Sequence, residues 1–289
     1  MPRGVAFALI LLILAAVPVG AQSQDAPIDG PPGPIPPAVI SRDANGHATV
    51  RTMRLPSPVV LDGRLEEAFY RDVPSFGDFI QQDPVEGGPA TEKTDVWVFF
   101  DQANIYVSAR LWEEDKSRRV ANEMRRDSFN LYNNDHFAVL FDTFYDRRNG
   151  YAFYANSLGG LGDAQLVNEQ PNPNWNGLWT ARTAEFEGGW TVEMRVPFRS
   201  MRFKEGGHVW GINFRRLVRW NNESDYLTSI PQSWGRRGLT KASSAGTLVG
   251  IEAPAKPGSF EIKPYALGSV TTNRLADPPL SNDPNSEFG

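Results

Sequence analysis

A chain of 289 residues with a net charge of −5 and no cysteine is long enough for one large or two modest domains. The missing cysteines exclude disulfides, thiol catalysis, zinc–thiolate sites and c-type haem attachment. The mild acidity speaks against a nucleic-acid partner, and three scattered histidines give no metal signature.

Arg3 gives a short basic start, Val5 to Val17 is wholly apolar, and Val19-Gly20-Ala21 has the small-residue pattern of a signal-peptidase site. These features predict a signal peptide over residues 1–21, with an apolar run too short for a comfortable membrane span. An exported protein without disulfides must draw its stability from its core. Residues 22–45 hold PPGPIPP and predict a semi-rigid linker without packing. Thr49 to Arg54 reads as a first strand, Arg64 to Tyr70 as a short amphipathic helix, and Phe76 to Ala90 as loop.

From Thr94 the pattern is strands. TDVWVFFD and Asn104 to Trp112 flank Asp101-Gln102-Ala103 and predict a hairpin. Glu114 to Asp127 is charged and reads as loop or short helix. A central hairpin follows. Phe137, Val139 and Phe141 alternate with His136, Ala138, Leu140 and Asp142; after DRRNG, Tyr151, Phe153 and Ala155 alternate with Ala152, Tyr154 and Asn156. Period-two alternation marks strands with two unlike faces, here a core face and a wetter one. Leu178 to Phe186 and Trp190 to Val196 make a third hairpin around Glu187-Gly188-Gly189. Val209 to Trp220 is a long strand whose arginines Arg215, Arg216 and Arg219 break strict alternation, as a bulge would. Ser224 to Ala245 reads as a long polar loop holding Trp234, and Gly246 to Ile251 closes the domain.

Many short strands with Gly, Pro, Asn and Asp turns and one small helix define the expected fold class: all-β, a two-layer antiparallel sandwich over residues 46–252. Trp97, Trp190 and Trp210 belong to its core, and Trp175 and Trp179 plug a loop. After a linker at PAKPG, Ser259 to Asn273 is a lone strand without a partner. A solitary strand buries little, so residues 253–289 read as a linker and one strand at the front of a longer protein.

The non-core positions collect His136, Ala138, Tyr154, Asn156, Thr191, Glu193 and Arg195, with Tyr106, Arg110, Trp112, Asn213 and Arg215 as additions. Two readings stand. Aromatics that stack on sugar C–H faces, with Arg, Glu and Asn for hydroxyls, suit a polyhydroxylated ligand. A wet outer face with cross-strand Arg–Glu pairs is the other. Asp135, Asp142, Asp146 and Asp163 lie near the ends of the central hairpin, where oxygen ligands would suit calcium. Without EF-hand spacing, turn capping accounts for them better. No nucleophile elbow, zinc-protease motif or phosphate loop occurs, and no carboxylate pair is singled out, so an enzyme is disfavoured.

The ordered set SPVVLDGRLEEAFY, TDVWVFFDQANIYVSARLWEED, NNDHFAVLFD, GYAFYAN, GGWTVEMRVPF and VWGINFRR resembles the family 9 carbohydrate-binding module. It looks closer still to a bacterial group in which such a module sits in the periplasm ahead of an outer-membrane barrel. EIKPYALGS is similar to the lead into the first barrel strand, and the resemblance implies that residues 253–289 are the linker and first strand of a truncated barrel, with the sandwich as its exported head. The resemblance implies a non-catalytic sandwich that holds sugar, linked to carbohydrate catabolism or uptake, often with structural calcium. It places Tyr132 and Trp234 as two aromatics clamping the ring and Asn156 as the asparagine that bonds it. Ala138 and Tyr154 stand where a glutamate and an arginine are expected, which leaves Arg110, Glu193, Arg195 and Arg215 to supply charged bonds. The alternatives are a structural head or plug that binds protein, and, further off, a glycoside hydrolase.

Overall fold

The computed structural model describes residues 30–255. The signal peptide, residues 22–29 and the strand expected at Ser259 to Asn273 lie outside the described residues. The chain divides into a compact unit ending at Ala253 and a second beginning at Pro254.

The compact unit is a two-sheet sandwich. The larger sheet runs β1 (Ile40–Arg42), β2 (Ala48–Arg51), β15 (Gly246–Val249), β13 (Val209–Val218), β7 (His136–Asp142), β8 (Gly150–Asn156), β9 (Leu161–Val167) and β10 (Gln170–Asn172). A branch continues from β13 through β14 (Glu223–Tyr226) to β4 (Ile80–Asp83). The smaller sheet runs β11 (Thr180–Phe186), β12 (Gly189–Pro197), β6 (Asn104–Trp112), β5 (Thr94–Phe100) and β3 (Met53–Arg54).

All three expected hairpins form, β5–β6, β7–β8 and β11–β12. Phe137, Val139, Phe141, Tyr151, Phe153 and Ala155 face inward and meet Trp190, Val192, Ile212 and Phe214 in the main core. The register is fixed because a one-residue slip would turn every one of these rings outward. The segment expected as one first strand is split at Thr52. Its N–H donates to Val249 O (3.0 Å) and its hydroxyl to Val98 O (2.9 Å), so β2 joins one sheet and β3 the other. Both pair in parallel with their neighbours, β2 with β15 and β3 with β5, inside an otherwise antiparallel fold.

Several expectations are corrected. Packing begins inside the Pro-rich segment: Ile40–Arg42 pairs with β2, and Val39 is buried in the main core. The helix α1 is Phe69–Asp72, a turn later than expected, because Phe69 and Tyr70 are its buried residues, packed with Trp97 and Phe99. Trp97 is thus buried outside the main core, on the far side of the smaller sheet. β13 carries no bulge. Arg215 and Arg216 simply point to opposite faces, and the irregularity lies between Ser224 and Asp225. Arg216 faces inward and donates to the carbonyls of Glu92, Lys93 and Trp112 and to Thr94 Oγ1, fastening one sheet to the other. A buried guanidinium is tolerated there because its hydrogen bonds are made.

Candidate functional site

The outer face of the larger sheet is not wet. Ala138, Leu140, Ala152, Tyr154 and Tyr226 join Leu131, Ile230 and Leu239 in a second apolar cluster. The 3-10 helix Phe129–Asn133 closes it on one side, and on the other lies Gln232–Thr240, two short 3-10 helices broken by a kink at Gly235. Between them a cavity of about 360 Å³ remains.

Strand register explains its floor. Tyr226, Arg215, Ala138, Tyr154 and Gly162 lie side by side across β14, β13, β7, β8 and β9. The small side chains Ala138, Gly162 and Ala164 leave the depression, and Tyr154 and Arg215 line it. A Cβ at Gly162 would come within 2.8 Å of Leu131 and 3.6 Å of Tyr132 Oη, so glycine there keeps the wall close to the floor. Tyr132 stands edge-on to Tyr154, ring centroids 5.0 Å apart at 89°, and both rings contact His136. Phe129, Pro171 and Pro173 continue the apolar wall, and Arg236, Arg237 and Thr240 form the opposite rim.

The charges are arranged unequally. Asp163 is buried and accepts from Gly177 N (3.1 Å), Trp179 Nε1 (2.8 Å) and Arg126. Burial nonetheless raises its carboxyl above the usual range. Asp127 accepts from Asp163 N at 3.1 Å and lies 3.4 Å from Arg126. Arg215 is 4 % exposed, and its Nε is sealed without an acceptor. Burial and then the Arg215 charge push His136 down to about 3, so its imidazole is neutral at physiological pH. Burial raises the phenols of Tyr154 and, with Asp127 and Asp163 adding to it, of Tyr132.

Of the residues chosen from sequence, Tyr132, Tyr154 and Arg215 come together here, with Ala138 beneath them. The others do not. Trp234 is half-buried outside the lining, against the second cluster, with Lys241 Nζ 5.4 Å from its ring. Asn156 is buried and structural: its Oδ1 accepts from Leu158 N and Gly160 N, and its Nδ2 donates to Glu123 O at 2.6 Å. Arg110, Glu193 and Arg195 lie on β6 and β12, on the other sheet. Glu193 accepts from Asp62 N, Gly63 N and Tyr70 Oη, and Arg110 lies over Trp97, Trp112 and Phe186. Alternation tells core from non-core, but a sandwich has two outer faces, and these three residues belong to the second.

The aspartates do not fit a calcium site. Asp135 binds the Val120 and Arg219 amides, Asp142 those of Asp146 and Arg147, and Asp146 those of Arg148 and Asn149, while Asp163 is occupied as above. Among the described residues no cluster of three or more His, Asp or Glu side chains could hold a metal ion. Sequence reasoning missed Asp127, Phe129, Pro171, Pro173, Arg236, Arg237 and Thr240 in the lining. Phe129 and the two arginines flank Tyr132 and Trp234 closely in sequence, and that adjacency was the available signal.

A β-sandwich with a half-open cavity over one sheet, lined by aromatics and arginines, has the shape and chemistry that suit a ligand-binding module. Residues 61–228, more than half of the chain, match the carbohydrate family 9 binding domain-like family, and the chain belongs to it. A family 9 carbohydrate-binding module from Caldicellulosiruptor kristjanssonii, solved with glucose, is 12 % identical. The match covers 74 % of this chain and 100 % of that one with a TM-score of 0.50. A family 9 module from the same organism solved with cellotriose gives 12 % identity, 75 % and 100 % coverage and a TM-score of 0.48. A Bacteroides uniformis protein is 14 % identical over 70 % of this chain and 97 % of its own, with a TM-score of 0.51. At these identities the likeness is one of fold. No curated protein matches the chain.

Proposed function

We propose that this chain is a non-catalytic carbohydrate-binding module whose site is the cavity over the larger sheet. The observation that carries the reading is the meeting of Tyr132, Tyr154 and Arg215 in one half-open cavity, on a chain of a carbohydrate-binding family. Aromatic walls match the apolar face of a pyranose, and a guanidinium supplies several donors to its oxygens. The similar Caldicellulosiruptor module of the same family was solved in complex with glucose. The lining carboxylates, Asp127 and Asp163, both engage Arg126 rather than standing apart as a free acid and a nucleophile. The apolar start of the chain, with its Val19-Gly20-Ala21 site, supports export, and the EIKPYALGS segment supports a following outer-membrane barrel. The module then faces the periplasm and serves carbohydrate catabolism or uptake.

A glycan array followed by calorimetry on the chain tests the reading. Tyr132→Ala, half-buried and at the wall, should weaken the best glycan at least tenfold while the melting temperature moves little. Unchanged affinity would remove the cavity from the binding reaction. Failure of the wild type to bind any glycan would favour a structural head that binds protein.

A further inference from the structure

The cavity holds more positive charge than its own acids can match. Three guanidiniums, those of Arg215, Arg236 and Arg237, line it together with two carboxylates, Asp127 and Asp163, and a fourth, Arg126, stands behind the carboxylates. Arg126 engages both carboxylates. Among the described residues Arg215, Arg236 and Arg237 make no ion pair. Arg236 and Arg237 are exposed at the rim, where water solvates them. Arg215 is the exception: it is buried on the floor, its Nε has no acceptor, and its cross-strand neighbours on β7 and β14 are Ala138 and Tyr226, neither of them acidic. An unpaired buried charge is costly to a fold and persists where something else supplies the counter-charge. A neutral sugar hydroxyl accepts a hydrogen bond from a guanidinium but leaves its charge uncompensated. A carboxylate does both, and its two oxygens fit the planar fork of arginine.

We propose, resting on the carbohydrate reading of this cavity, that its ligand is an acidic saccharide whose ring carboxylate pairs with Arg215. The pyranose lies against Tyr132 and Tyr154, and Arg236 and Arg237 attract the anion to the mouth.

Calorimetry on the chain with glucuronate, galacturonate, glucose and acetate tests this. A uronate should bind at least tenfold more tightly than glucose, and acetate, which has the charge without the ring, should bind far more weakly than either uronate. Arg215→Met should abolish the preference for uronate over glucose. Arg215→Lys keeps the charge without the fork and should retain only part of it. The double variant Arg236→Gln, Arg237→Gln lies on the surface, leaves the core untouched, and should lower uronate affinity several-fold in a salt-sensitive way. Should Arg215→Met fail to fold, Arg215→Lys and the surface pair carry the test. Glucose binding as well as the uronates would overturn the acidic ligand and leave the carbohydrate site standing. Acetate matching the uronates would reduce the site to a simple anion hole and overturn the proposal. Binding of neither sugar would overturn both readings.

Discussion

His136 shows how one residue ties the cavity to the stability of the fold. Its Nδ1–H donates to the Asn134 carbonyl at 2.9 Å, while its Nε2 is buried without a partner. A second proton would add charge where burial and the Arg215 guanidinium both oppose it, which is why its pKa falls to about 3. An unfolded histidine titrates near 6.5. Between those values the unfolded chain binds the extra proton and the folded one refuses it. Stability from this residue is therefore complete above about 6.5 and is lost as the pH falls toward 3, by up to about 1.4 kcal/mol per pH unit. Buried carboxyls work in the opposite sense, raised by burial: Asp142 to about 6, Glu193 to about 7 and Asp225 to about 8, with Glu92, Asp135 and Asp163 shifted the same way. Each favours the folded state at low pH and loses that contribution as the pH rises through its folded value. The histidine must be isolated by difference. In urea titrations, the stability gap between the wild type and His136→Gln should shift against the wild type as the pH drops from 6 to 4. A gap that stays constant with pH would contradict the buried, neutral imidazole.

At the scale of elements, the cavity exists because the segment Gln232–Thr240 lies on the sheet instead of in solvent, its second 3-10 helix following the kink at Gly235. Gly238 permits that approach: a Cβ there would come within 2.7 Å of Tyr226 Oη and 2.8 Å of Ile230 Cγ2. Gly238→Ala should lift the helix at a cost of about 1–3 kcal/mol, typical of overpacking. Because the same helix carries Arg236, Arg237 and Thr240, ligand affinity should fall along with the melting temperature; a variant with unchanged melting and affinity would show that the contact is slack. The strands that frame the cavity were legible in sequence wherever alternation was strong, as in β7 and β8. β9 was hidden because Gly162 and Asp163 interrupt its apolar pattern, one making room for Leu131 and the other binding Trp179 at the sandwich edge. β14, Glu223–Tyr226, was hidden because its charged residues are buried, against the usual rule for acids. Tyr154 and Arg215 were legible through alternation on β8 and β13, and Tyr132 only through the family resemblance. Arg236 and Arg237 were not, since arginines in a polar loop look alike until a helix is laid across a sheet.

For the whole molecule, the larger sheet needs an edge strand that a reading of composition alone discards. Residues rich in proline and glycine suggest a free tether, yet the chain settles onto the sheet well before residue 46. Val39 buries its side chain in the main core, and Arg51 N donates to Val39 O at 2.8 Å. Arg42 reaches Leu227 O (2.7 Å) and Asp78 O (3.0 Å), holding β1 against loops next to β14 and β4. Removing this segment uncovers the β2 edge, exposes core surface and leaves those carbonyls to water. Full burial of a valine is worth about 1.5–3 kcal/mol, and each net hydrogen bond adds about 1 kcal/mol. A chain starting at residue 46 should therefore be roughly 2–4 kcal/mol less stable than one starting at residue 30. Its urea midpoint should fall with only a small decrease in slope, since little of the total surface is lost. Sugar affinity of the folded fraction should not change, because β1 and β2 are separated by β15 from the strands β13, β7, β8 and β9 under the cavity. Equal urea midpoints for the two chains would mean that Val39 and β1 decorate the sandwich without supporting it. A lower midpoint with lost affinity would mean that the sheet transmits the damage from its edge to its site.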